Sequence, residues 1–197
     1  MASIATLEPF APPLPLTEGE ILDEVVNGRR VEKPMGVRSI RLANRLGRRL
    51  GTFAEENGLG NADVEMIFVL DEAGDLQLRP DVAFVSSERW PLNQPVPDDA
   101  AWDVVPDLAV EVVSPTNRDE EGLAKVREYF EAGVRLVWKI YPNEQVVHVY
   151  ESFTTIRVLT RADELDGGEV VPGFRLPLAT LFGQEAPAGQ QIGRAHV

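Results

Sequence analysis

The stretch LAVEVVSPTNRDEEGLAKVREYFEAGVRLVWKIYP, residues 108–142, decides the fold. It opens with an apolar run carrying one carboxylate, Glu111, and Ser114-Pro115 closes that run. A strand apolar on both faces belongs in the middle of a sheet that is covered on both sides. A helix is predicted over 119–132, with Leu123, Val126 and Phe130 as its stripe and Gly133 as its stop. VRLVWKIY, 134–141, then reads as a second strand. Strand, helix, strand demands a crossover and therefore a parallel pair.

Upstream, VEMIFVL (64–70), the turn DEAGD and LRPDVAFV (78–85) read as a hairpin. Residues 86–106, with Pro91, Pro95, Pro97 and Pro106, are predicted to be a long loop. A long helix is expected at about 36–57, with Ala43, Leu46, Leu50, Phe53 and Ala54 as its apolar stripe and Gly58 near its C-cap. TEGEILDEVV (17–26) reads as a short capped helix with Thr17 as N-cap and Glu20 completing a capping box, and GRRVEK as a short extended stretch. Downstream, EQVVHVYES and TTIRVLT are two further strands, and GFRLPLATLF ends in a short helix at Leu178–Phe182. The expected class is α/β: one mixed sheet flanked by helices.

One domain is expected over 17–184, preceded by a Pro-rich disordered arm at 1–16 and followed by a tail at 185–197. The ending QIGRAHV looks foreign to the fold, because IGRAHV back-translates to a common sequencing adapter; His196 and Arg194 therefore enter no functional argument.

Composition narrows the chemistry. The 197 residues are 44% hydrophobic and 26% charged, ordinary for a globular protein. There are no cysteines and two histidines, His148 and His196, which excludes thiol chemistry and disfavours histidine triads and multi-histidine metal sites. Any metal would be held by oxygen, favouring magnesium or manganese. No apolar run approaches membrane-spanning length and no signal peptide is visible, so a cytoplasmic location is expected. The net charge of −13 argues against a general nucleic-acid binder, but seven of the sixteen arginines fall between residues 29 and 49.

Two acids lie where acids are costly. Glu111 sits inside a buried-type strand, and Asp81 follows Pro80 near a strand start. Two carboxylates near the ends of neighbouring strands can share one divalent ion. The structural alternatives are a turn aspartate at Asp81 and a buried salt bridge from Glu111 to an arginine. Lysine is scarce: Lys33, Lys125 and Lys139 are the only ones. Lys125 and Tyr129 are four apart and share a helix face; the bland reading is a solvated lysine and a core tyrosine. Ser114 and His148 read as structural. Trp138 reads as core; Trp90 and Trp102 could stack on bases, with closure of a cleft as the safer reading.

RPDVAFV, LAVEVVSPTNR and KVREYFEAGVRLVWKIYP, in this order and spacing, resemble the Uma-two family of restriction-endonuclease-like proteins, part of the PD-(D/E)xK nuclease superfamily. The likeness runs from ILDEVVNGRRVE to VVPGFRLPLATLF, about 160 residues. It implies a central mixed sheet flanked by helices and metal-dependent hydrolysis of phosphodiester bonds in DNA. Carried over residue by residue, it implies that Asp81 and Glu111 hold magnesium or manganese, with the Val112 carbonyl as a third ligand. The superfamily lysine position is Val113 here, and the resemblance makes Lys125, on the following helix, the candidate to take its place. Glu32 falls where the family often has an acid; an exposed strand-end glutamate is the alternative. Tyr141 stands where the family usually has an aspartate, and PMGVRS lacks a histidine the family often has, so an inactive interaction module is the competing reading. A two-carboxylate glycosidase leaves Lys125 and the buried strand unexplained. A homodimer is expected by analogy with nucleases that cut two strands.

Overall fold

The computed structural model describes residues 23–31, 33, 36–113 and 119–183, with the side chains of 119–121 excepted. The expected arm at 1–16, the tail at 185–197, Glu32 and Ser114 lie outside the described residues.

A six-stranded mixed sheet forms the centre. In chain order its strands are β3 (Gly60–Val64), β6 (Val82–Ser86), β7 (Leu108–Val112), β8 (Leu136–Tyr141), β9 (Val146–Ser152) and β10 (Thr155–Thr160). The spatial order is β10-β9-β8-β7-β6-β3. β7 and β8 pair in parallel, joined by the crossover helix α2 (Asp119–Ala132), as the sequence of 108–142 requires. The other neighbours are antiparallel.

The alternation of strand side chains sends two sets of residues to opposite faces. Val82, Phe84, Leu108 and Val110 pack with Leu42, Leu46 and Leu50 of α1 (Val37–Glu56). Each of these leucines contributes about 1.5–3 kcal/mol through burial. Ala83, Val85, Ala109 and Val137 pack with Val126 and Tyr129 of α2. Glu111, two residues beyond Ala109, belongs to the α2 face. The α2 stripe differs from the expected one: Leu123 is 43% exposed, while Tyr129 is fully buried. The reason lies at Glu111, whose carboxylate draws the Lys125–Tyr129 face inward.

A second sheet has the order β2-β1-β5-β4, built from β1 (Glu24–Val26), β2 (Arg29–Val31), β4 (Phe68–Val69) and β5 (Gln77–Leu78). Here the structure corrects the sequence reading twice. Residues 24–26 are not the end of a helix but the first arm of a hairpin. Asn27 (φ 52°) and Gly28 (φ 68°) make its two-residue turn, the conformation that Asn-Gly adopts most readily. The apolar runs 64–70 and 78–85 are not single strands either. Glu65, at φ 57°, separates β3 from β4, and Arg79-Pro80-Asp81 separates β5 from β6. The hairpin exists in two storeys: β4 with β5 in the small sheet, β3 with β6 in the large one.

The loop at 87–107 is pinned to β4 and its flank through Trp102. Trp102 bridges Phe68, donates to the Ile67 carbonyl at 2.8 Å and accepts from Val69 N–H at 2.9 Å. It is 2% exposed, so it serves the core and offers no ring for base stacking; Trp90 packs edge-on against it. Trp138 is core as expected. β11 (Glu164–Asp166) and β12 (Arg175–Pro177), a pair not foreseen, lead into α3 (Leu178–Phe182). Among the described residues no helix is long and apolar enough to cross a membrane.

Candidate active site

The break at Pro80 places Asp81 beside the end of β7. Its N–H donates to the Val110 carbonyl at 2.9 Å, and its Oδ2 accepts the Val112 N–H at 2.5 Å. Main chain and side chain thus stitch Asp81 to the strand carrying Glu111. Asp81 is 1% exposed, and its Oδ1 faces the ammonium of Lys33 at 2.6 Å. The same ammonium lies 3.1 Å from Glu111 Oε2 and donates to the Arg79 carbonyl at 2.7 Å. The two acids singled out in the sequence therefore converge on one cation.

The other oxygen of Glu111 is equally committed. Oε1 accepts from the Tyr129 hydroxyl at 2.6 Å and lies 2.8 Å from Lys125 Nζ. Lys125 also meets Glu24 Oε1 at 2.5 Å, and that same oxygen accepts the Arg79 N–H at 2.9 Å. Lys125 and Tyr129, one helical turn apart, both act on Glu111 as their shared face allows. The alternative of a buried salt bridge at Glu111 holds in part: the partners are two lysines rather than an arginine.

Two residues were missed. Glu24, 6% exposed, is carried into the site by the β1–β2 hairpin. The signal was legible, since Val25-Val26 lead into Asn-Gly, the commonest two-residue hairpin turn; the helical reading of 17–26 hid it. Lys33 was counted in the sequence but given no role, because nothing local shows that β2 returns the chain to Asp81. Glu65, in its left-handed conformation, adds a further carboxylate nearby, with Oε2 at 3.0 Å from Arg79 Nη1. Its pKa is raised by burial.

The two central acids are driven apart electrostatically. Burial pushes the Asp81 pKa up, and the Glu111 charge adds to that shift against the opposing pull of Lys33. Burial also acts to raise Glu111, but Lys125 and Lys33 overcome it and hold the carboxyl down at about 2. For Lys33, desolvation works against the charge, yet Glu111, Asp81 and Glu24 outweigh it and raise its pKa. Burial raises the Tyr129 hydroxyl well above its ordinary value, so it acts as a donor to Glu111.

A divalent ion implied by the fold finds a partial ligand set. Among the described residues no three His, Asp or Glu side chains converge as a metal cluster. Two carboxylate oxygens do converge on the Lys33 ammonium, itself a cation. Magnesium needs only one or two carboxylates and keeps its own waters, so the donors fit a hard cation.

His148 lies one strand beyond, opposite Lys139 on β8, with its ring 4.5 Å from that of Tyr141. It takes no part in the Asp81–Glu111 cluster. Arg38 bonds the Pro142 carbonyl and Asn143, and Arg45 bonds the carbonyls that end α3, whereas Arg41, Arg48 and Arg49 are exposed on α1.

Residues 13–179 match the model of the Uma2 family, described as "Putative restriction endonuclease". No curated protein matched. Among solved structures, the chain is similar to "a putative nuclease belonging to DUF820 from Anabaena variabilis ATCC 29413". The TM-score is 0.71 at 19% identity, covering 81% of this chain and 89% of that one, a likeness of fold. With the family model spanning most of its length and a mixed sheet flanked by helices at its centre, the chain belongs to the Uma2 family and has a restriction-endonuclease-like fold.

Proposed function

We propose that this chain is a metal-dependent endonuclease that hydrolyses phosphodiester bonds in DNA. The observation that carries the reading is the convergence of Asp81 Oδ1 and Glu111 Oε2 on one cation, at 2.6 and 3.1 Å, where β6 begins and β7 ends. Asp81, Glu111 and the Val112 carbonyl would hold magnesium or manganese, and such an ion, when bound, supplies Lewis-acid polarisation of the phosphate and an acidified water.

The chain's own groups do the rest. Lys125, fixed by Glu24 and Glu111, is poised to neutralise charge that builds on the phosphate. Tyr129 holds the Glu111 carboxylate in one orientation through its hydroxyl. Glu32, next to Lys33 in the sequence, is a further catalytic candidate. The exposed arginines of α1 offer contacts to a phosphate backbone despite the acidic net charge. Cutting both strands of a duplex calls for two sites, and a homodimer would supply them; DNA as substrate is consistent with a cytoplasmic protein.

The competing reading, an inactive interaction module, draws on the same ammonium, because Lys33 already satisfies both acids. Nicking of supercoiled plasmid with magnesium or manganese separates the two. Glu111→Ala should abolish nicking while far-UV circular dichroism keeps its folded form. Nicking that persists unchanged in that variant removes Glu111 from the chemistry.

A further inference from the structure

We propose that Lys33 occupies the divalent-cation position between Asp81 and Glu111, and that metal entry and Lys33 departure are one exchange. The inference rests on the metal-site reading above and gives that site a control element within the chain. Lysine 33 meets three oxygens at once: Asp81 Oδ1 at 2.6 Å, Glu111 Oε2 at 3.1 Å and the Arg79 carbonyl at 2.7 Å. A hard cation selects oxygens of this kind, at shorter distance still. The ammonium and the ion cannot share them.

The two lysines at the site differ in a way that fits the exchange. Lys125 contacts Glu111 through Oε1 and is anchored on the far side by Glu24. It leaves Oε2 and Asp81 Oδ1 free to bind something else. Lys33 takes those two atoms. Its main chain is tethered independently, since its carbonyl accepts Arg79 Nη2 at 3.2 Å. The four-carbon side chain can therefore swing away while the backbone stays in place. Without metal, the ammonium balances two buried carboxylates that would otherwise repel each other. With metal, the same charge becomes available to the anionic substrate. A site built this way keeps its fold without an ion and weakens its own affinity for one.

The test uses the full chain with manganese alone as probe. Calorimetric titration of wild type and Lys33→Met should show binding about tenfold tighter in the variant, the least that removing a cation from contact with two ligand oxygens leaves after screening. Wild type is also treated with an amine-reactive acylating reagent and read by peptide mass spectrometry. Lys33 should be protected without manganese and become labelled as manganese rises, with the midpoint of the calorimetric curve. Asp81→Asn should lose that manganese dependence. Equal affinities, together with Lys33 labelling that manganese does not change, overturn the exchange but leave the metal site standing. Absence of manganese binding in both proteins overturns the metal-site reading and the exchange with it. If Lys33→Met fails to fold, the labelling of wild type decides alone.

Discussion

Replacing Lys125 with methionine isolates the electrostatics of the site. The ammonium lies 2.5 Å from Glu24 Oε1 and 2.8 Å from Glu111 Oε1, which puts those two oxygens within about 5.3 Å of each other. The three side chains are 16%, 8% and 13% exposed, so screening by water is limited. At an effective dielectric of about 20, two unit charges at that distance repel by about 3 kcal/mol. Losing one partner of a buried ion pair costs a similar ~3–5 kcal/mol. Lys125→Met should therefore lower unfolding stability by about 3 kcal/mol at pH 7. With a urea slope of about 2 kcal/mol/M, the midpoint falls by about 1.5 M.

The pH dependence carries a second signature. In wild type, Glu111 is held down at about 2 against an ordinary 4.5, mostly by Lys125 and then Lys33 acting against burial. A depressed carboxyl contributes stability that is fully present above 4.5 and lost as pH falls through about 2. In Lys125→Met, burial acts on Glu111 with less opposition, so its pKa rises and protonation relieves the repulsion. The stability gap between variant and wild type should narrow as pH falls from 5 towards 2, the range over which wild type loses what the depressed Glu111 contributes. A gap under about 0.5 kcal/mol, or one independent of pH, refutes the ion-pair geometry.

Three further outcomes follow from other contacts. Tyr129→Phe removes the hydroxyl that donates to Glu111 at 2.6 Å; it should cost about 1.5–2 kcal/mol in urea unfolding, the low end for a bond to a charged group, because Lys125 and Lys33 remain. Gly60→Ala places a Cβ 2.1 Å from the Val85 carbonyl oxygen at φ 151°, so the β3–β6 pairing must shift; a fall in melting temperature of about 5–10 °C by calorimetry is expected, and an unchanged value contradicts the register. The His148 imidazole should titrate below its ordinary 6.5 in NMR, because burial and then the Lys139 charge disfavour its protonated form; the neutral form it prefers loses stability relative to the unfolded chain as pH falls below 6.5.

Long-period features were legible in the sequence. The crossover over 108–142, the helix at 37–56 and the closing helix at Leu178–Phe182 all follow from apolar spacing and glycine stops. The pairing of Glu111 was legible too, because a carboxylate in a buried strand must meet a cation, and Glu111 meets Lys125 and Lys33. The small sheet was harder. Val25-Val26-Asn27-Gly28 carries a hairpin signal, but Thr17 and Glu20 supply a capping pattern that competes with it. The split of 64–70 depends on one left-handed residue, Glu65, which no local preference of glutamate announces. Lys33 was out of reach for a different reason. It belongs to the site because β1 pairs with β5 through Val25 and Gln77, a contact between segments fifty residues apart that no periodicity encodes.

The most direct test of the central claim pairs two readings on the same samples. Magnesium and manganese are titrated by calorimetry into wild type and Asp81→Ala, and supercoiled plasmid nicking is followed alongside. Wild type should bind the ion and nick the plasmid, and Asp81→Ala should lose both while remaining folded. A wild-type protein that binds neither ion and leaves the plasmid intact would contradict the metal-nuclease account.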